Sequence, residues 1–345
     1  MSGRVVDSGS RQAMLDLAAS GVALPSPVEA YFEVANRCNS KCVTCPITFS
    51  PQENAKLSLE EFKMLVAQLP ELRRAVMQGI GEPLLNRQLA HMIRHLKDQG
   101  VYVVFNTNGA LLTRRRQIEL IDSGLDELRV SLDGSTPETY LKVRGIPAFA
   151  RVLENVAALV CLQRERDVST PRLSFWVTGM RENLHELPGV IDLAARIGVE
   201  EVYLQRMVFG FSEDALAHAA ESIYDRSYRA EAEAFINDAE RRAAALGVRF
   251  RGAGALSPRE SVVDRKAVDE PWRECSRRLR LAYVTAQGTA LPCCIAPFTE
   301  APYDSITLGN YLNDGVGAVW TGEAYRVFRE RLYSSIRLPG VKTVA

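Results

Sequence analysis

A chain of 345 residues with 47% apolar and 24% charged content is long enough for one large domain and a smaller companion. Its 42 basic and 42 acidic residues cancel and no basic stripe stands out, which argues against a nucleic-acid or anionic-membrane partner. The first 27 residues carry charges throughout and lack the apolar core of a signal peptide, and the longest apolar run, Val156 to Leu162, is far short of a membrane span. A cytoplasmic, reducing location is expected. There an odd number of cysteines, seven with three clustered, suits metal ligation better than disulfides.

Residues 1–27 read as an N-terminal extension. From Val28 onward, short alternating segments take turns with helix-period segments, which predicts βα units and a parallel sheet. The expected strands are "EAYFEVA", "RAVMQG", "VYVVFNTN", "LDELRVSLD", "RLSFWVTG" and "EEVYLQRMV". Between them "SLEEFKMLVAQL" predicts a helix capped by Ser58, and "HELPGVIDLAARIGV" one with Leu187, Val190, Ile191, Ala194 and Ala195 on its apolar face. Ser135 and Glu138 in "GSTPETY" form a capping-box pattern. Cys161, inside the apolar "NVAALVCLQ", reads as a core residue, and His91 with His95 as surface histidines off the stripe of their helix.

Six βα units, ending with the charged helix "YDRSYRAEAEAFINDAERRAAALG", fill residues 28–251. They predict an α/β fold, a partial (β/α)6 TIM-like barrel with its chemistry at the C-terminal ends of the strands. The polar, turn-rich "GAGALSPRESVVDRKAVDEP" reads as a linker. Beyond it, two β-rich runs flank Gln287-Gly288 as in a hairpin, so residues 252–345 are expected to hold the linker and a small C-terminal α+β domain.

Cys38, Cys42 and Cys45 lie in "CNSKCVTC", directly after the first strand. A structural zinc ion wants four ligands, and His91, His95, His185 and His218 are all remote in sequence. Three thiolates on a cubane iron–sulfur cluster instead leave one iron open to a ligand. In "QGIGEPLLN", which closes the second strand, Gly79 and Gly81 permit a close backbone approach, and Glu82 supplies an acceptor. Strand alternation puts Arg129, Ser131 and Asp133 on one face, and likewise Tyr102, Val104, Asn106 and Asn108.

The CxxxCxxC spacing after a first strand resembles the radical S-adenosylmethionine (SAM) enzymes. "GIGEP" is similar to the GGEP motif of that family, with Ile80 where glycine is more usual, and "NTNG" and "SLDG" are familiar at the ends of the next two strands. The resemblance implies a [4Fe–4S] cluster on Cys38, Cys42 and Cys45 whose open iron chelates SAM and, when reduced, cleaves it to a 5′-deoxyadenosyl radical. It places the SAM ammonium at Gly79, Gly81 and Glu82, and its carboxylate and ribose near Asn108, Ser131, Asp133 and Arg144. The adenine falls near Leu204 and Gln205, with Arg181 and Asn183 close by. Thr44 stands where an aromatic residue is frequent, which bears on adenine packing. Cys275, Cys293 and Cys294 resemble the start of a SPASM or twitch extension. As no cysteine follows Cys294, the expectation is either at most one, twitch-like auxiliary cluster, or a chain that stops short of ligands a longer version would contain. The implied partners are a peptide or small-molecule substrate and an electron donor such as flavodoxin or ferredoxin, with neither nucleic acid nor membrane. The competing expectation is a non-catalytic binding protein stabilised by zinc or an iron–sulfur cluster on the same barrel.

Overall fold

The computed structural model describes residues 25–49, 53–207, 227–253, 257–259, 275–298 and 303–333. Most of the N-terminal extension, most of the linker and His218 lie outside the described residues. All six expected strands form: β1 (Glu29–Phe32), β2 (Arg74–Val76), β3 (Tyr102–Thr107), β4 (Glu127–Ser131), β5 (Arg172–Gly179) and β6 (Glu201–Arg206). Three more join them, β7 (Arg249–Gly252), β8 (Leu281–Val284) and β9 (Ala290–Leu291). The sheet order is β7-β6-β5-β4-β3-β2-β1-β8-β9, parallel throughout except for the β8–β9 pair. With β7 at one edge and β9 at the other, the barrel does not close.

The faces follow the alternation. Leu128, Val130 and Leu132 join Val103, Phe105, Phe175 and Val177 in the core beneath the helices, while Arg129, Ser131 and Asp133 line the inner face. Ser58 caps the helix Leu59–Ala67 in a full capping box with Glu61, as its sequence predicts. The helix Pro137–Arg144 differs from expectation, because its N-cap is Thr136 and the third helical residue is Thr139 rather than Glu138. The Thr136 hydroxyl caps by accepting from Thr139 N at 3.3 Å, and Glu186, from a later segment, stands in for the acid of the box: its carboxylate accepts from the Thr136 backbone at 3.0 Å and from the hydroxyls of Thr136 at 2.8 Å and Thr139 at 2.6 Å. Cys161 is exposed, not core, because the buried stripe of the helix Phe149–Glu165 runs through Val152, Val156, Leu159 and Val160, leaving 161 on the outer side.

The C-terminal region enters the same sheet. β8 pairs in parallel with β1, Tyr31 opposite Tyr283, and then turns back through the expected hairpin, where Gly288 adopts φ +81°. Tyr311, Val316, Trp320 and Tyr325 from the following helices continue the barrel core, and a second small core gathers Leu281, Tyr283, Leu291 and Ala296 against Cys293 and Cys294. Among the described residues no single helix is long and apolar enough to cross a membrane.

Candidate active site: two cysteine groups

The loop after β1 carries Cys38, Cys42 and Cys45, and it is tied to distant segments on every side. Lys41 N donates to Arg144 O at 3.3 Å and Val43 N to Val143 O at 3.0 Å, which zips the loop to the end of the helix Pro137–Arg144. That close approach depends on Gly145, at φ +67°, where a Cβ would stand 2.4 Å from Lys41 O. Cys42 Sγ lies 3.7 Å from Arg144 O and Cys45 Sγ 3.6 Å from Ile80 O, while Asn108 Nδ2 reaches Cys38 Sγ at 3.9 Å and donates to Asn39 Oδ1 at 2.8 Å.

The Gly79–Pro83 segment braces the loop from below. A Cβ on Gly81 would stand 2.1 Å from Ala35 O and 2.8 Å from Arg37 O, and Glu82 N donates to Arg37 O at 2.8 Å. The side-chain space at Gly79 is filled by Glu33. These glycines admit the chain's own backbone and a buried carboxylate. Glu82 is buried, caps the short 3-10 turn Pro83–Leu85, and accepts from Leu84 N at 3.0 Å, Thr107 Oγ1 at 2.8 Å and Asn108 N at 2.8 Å. It thereby locks the ends of β2 and β3 together, although burial still raises its carboxyl above the ordinary range.

Asp133 and Arg144 form the third brace. Wholly buried, Asp133 accepts from Arg144 Nη1 at 3.0 Å and from Thr178 N at 2.6 Å. Burial alone would lower the Arg144 guanidinium, but the neighbouring Cys42, Asp133 and Tyr140 raise it above the usual arginine range. Arg144 Nε and Ser40 Oγ are buried with no hydrogen-bond partner among the described residues. Of the other expected ligand residues, Ser131 stands on β4 opposite Trp176 and Gln205 on β6 opposite Thr178. Arg181 and Asn183 begin the short helix after β5, and Asn183 Nδ2 donates to the backbone oxygens of Asp133 and Thr178 at 3.1 and 2.9 Å.

The donor set fits an iron–sulfur cluster. Burial first, and then the charge of Cys42, pushes the Cys45 thiol up to about 12, and burial also raises Cys38 and Cys42. Metal-bound thiolates would remove that penalty, and the orphaned Arg144 Nε and Ser40 Oγ can donate to an anionic sulfide core. Among the described residues no three His, Cys, Asp or Glu side chains are placed to hold a single metal ion. Cysteines that each bind a separate iron have no need to converge so tightly.

Cys275, Cys293 and Cys294 form a second group around the hairpin. Cys275 is exposed and the other two are half-buried. Burial, and then the charge of Cys294, pushes Cys293 up to about 11, with Cys275 adding to it. Arg277 Nη1 donates to Cys294 Sγ at 2.9 Å.

Glu33 carries no recognised motif. It is wholly buried at the end of β1, and its carboxylate accepts from Ile80 N at 2.9 Å and Ala286 N at 3.2 Å, joining the Gly79–Pro83 segment to the C-terminal hairpin. Burial raises its carboxyl to about 7. The one signal for it is an acid at an inner-facing position of a short apolar strand.

An unclosed parallel barrel that presents three cysteines on the loop after its first strand, with a hairpin bearing further cysteines, defines an iron–sulfur protein of the SAM-dependent radical class. Residues 32–194 match the radical SAM superfamily and residues 275–338 match an iron–sulfur cluster-binding (SPASM) domain, so the chain carries a radical SAM domain followed by a SPASM domain. A [4Fe–4S] cluster, SAM and auxiliary iron–sulfur ligation come with those two domains. The chain is 31% identical over 169 residues, 48% of its length and 53% of the relative's, to a probable GTP 3′,8-cyclase of Saccharolobus islandicus. It thus spans about half the length of the curated cyclases it matches. At 22% identity it covers 82% of a tungsten-containing aldehyde ferredoxin oxidoreductase cofactor-modifying protein of Pyrococcus furiosus, using 87% of its own length. Its fold is similar to that of Streptococcus suis SuiB bound to the precursor peptide SuiA, with a TM-score of 0.68 at 12% identity over 96% of this chain and 71% of that one.

Proposed function

We propose that the protein is a cytoplasmic radical SAM oxidoreductase or maturase that reductively cleaves SAM and abstracts a hydrogen atom from a peptide or small-molecule substrate held in the barrel. The observation that carries this reading is the knitting of the Cys38–Cys45 loop to the Gly79–Pro83 segment and to the Asp133–Arg144 pair. When bound, the cluster supplies one electron to SAM and an open coordination site for its amino and carboxylate groups. Cys38, Cys42 and Cys45 hold the cluster, and the Gly79–Pro83 backbone, Asn108, Ser131, Asp133 and Arg144 shape the SAM cradle beside it, with Gln205 toward the adenine. Cys275, Cys293 and Cys294 hold one auxiliary cluster. Flavodoxin or ferredoxin is the class of donor that would reduce the first cluster. A peptide substrate is supported by the similarity in fold to SuiB, a small molecule by the sequence relatives.

The test is direct. Anaerobically reconstituted protein given dithionite and SAM is expected to release 5′-deoxyadenosine, and Cys38→Ala, Cys42→Ala and Cys45→Ala variants are expected not to. A colourless, zinc-bearing protein without SAM affinity would point instead to the non-catalytic binding reading.

A further inference from the structure

The chain is neutral overall, yet its arginines are not evenly spread. Where the inner-facing strands begin, three glutamates are each shared between two guanidinium groups. Glu29 takes Arg74 at 2.7 Å and Arg280 at 3.6 Å. Glu127 takes Arg129 at 2.6 Å and Arg172 at 3.1 Å, and Glu201 takes Arg249 at 3.1 Å and Arg251 at 3.7 Å. Arg277 adds a seventh cation whose hydrogen bond goes to Cys294. Around these three carboxylates seven guanidinium groups gather, an excess of positive charge that favours an anion nearby.

The excess surrounds a flat aromatic surface. Trp176 on β5 and Tyr203 on β6 stack with ring centroids 4.1 Å apart, and the Arg129 guanidinium lies 4.3 Å from the Trp176 centroid. Arg251 is the register neighbour of Tyr203 on β7, so its side chain leaves the sheet on the same face. Arg129 spends its Nε on Glu127, and Arg251 stands beyond hydrogen-bond distance of Glu201, so both retain donors for a planar oxyanion.

We propose that the N-terminal half of the barrel binds an anionic group of the substrate, carboxylate or phosphate, through Arg129 and Arg251 set around the Trp176–Tyr203 stack. This rests on the enzyme reading above and adds a substrate class to it: the molecule that gives up its hydrogen carries an oxyanion, held by residues of β4 and β7 rather than by the Cys38–Cys45 loop. The guanidinium groups anchor that oxyanion, and the stack gives the adjoining part of the substrate an apolar floor.

Anaerobic calorimetric titration of the reconstituted full chain with inorganic pyrophosphate and, separately, with citrate tests it, at low and at raised salt. Saturable binding of one or both probes is expected, weakening with salt and falling at least tenfold in Arg129→Gln and in Arg251→Gln. Arg129→Lys is expected to recover part of the loss and Arg326→Gln, on a remote helix, to bind as the parent does. Binding of pyrophosphate alone assigns a phosphate, and of citrate alone a carboxylate. Binding of neither, or affinities unchanged in both Gln variants, overturns the proposal. Arg251 is exposed, so its substitution leaves the core untouched. Assaying 5′-deoxyadenosine release on the same samples separates the two claims: anion binding without SAM cleavage sinks the enzyme reading alone, whereas cleavage without anion binding sinks the anion site alone.

Discussion

Cys38, Cys42 and Cys45 sit on a loop pinned by the end of one helix, by the Gly79–Pro83 segment and by Asn108, whereas Cys275, Cys293 and Cys294 flank a single hairpin and meet one guanidinium group. In the first group most of the tethers are backbone hydrogen bonds and buried carboxylates, so the geometry is set by the ends of several strands together. In the second, one cysteine is exposed and the other two rest on a small core of four residues. A site where reacting atoms must be placed needs over-determined support, while one that only holds or passes electrons tolerates less. On the proposed function the first group is the centre of the chemistry and the second its accessory.

The largest break in this comparison comes from the braces. Arg144→Met would leave the Asp133 carboxylate buried without its ion pair, at a cost of about 3–5 kcal/mol. A fall in thermal midpoint and a loss of SAM-dependent 5′-deoxyadenosine are both expected, measured by melting and by product assay. Asp133→Asn keeps one acceptor for Thr178 N and should lose less. Cys275→Ala with Cys293→Ala is expected to spare the melting temperature and the uncoupled cleavage of SAM while removing substrate turnover. A collapse of SAM cleavage in that variant would show that the two groups are not separable.

The smallest effect concerns Glu33, the carboxyl that links the two regions. Its native pKa of about 7 lies above the ordinary 4.5, so between those values the folded state holds a proton that the unfolded state has lost. Stability from this group is therefore complete below pH 4.5, falls as pH rises toward 7, and is level above, a swing of up to about 3 kcal/mol. Glu33→Gln cannot titrate. Its stability relative to the parent should rise between pH 5 and pH 8 in urea unfolding of the cluster-free protein, and a constant difference would contradict the assignment.

How much of this was legible in the sequence differs between the regions for a physical reason. A period of two along a strand reports which side chains share a face, so "LRVSLD" displays Arg129, Ser131 and Asp133 together before any fold is known. Cysteine spacing and the glycines around Glu82 are also local signals. Which strand pairs with which is not local: nothing in "RLRLAYV" says that it lies against β1, and β7, four residues with two arginines, passes for the tail of a helical unit. Glu33 and Glu186 act on partners 47 to 253 residues away in one case and about 50 in the other, so no window of sequence shows their acceptors in use. Cys161 was misplaced because a wholly apolar run hides which side of the helix is buried. The arginine excess in the N-terminal half of the barrel is invisible for the opposite reason, since the chain's total charge is zero and only the sheet collects the seven cations at one end.

The separation of the two cysteine groups is tested most directly by counting iron, with electron paramagnetic resonance of the reduced samples, in the reconstituted parent and in the Cys275→Ala, Cys293→Ala double variant. About eight irons in the parent and about four in the variant, with the SAM-responsive signal retained, are expected for one cubane cluster at each group. About four in both proteins would contradict the second site, and loss of the SAM-responsive signal in the variant would contradict the independence of the first.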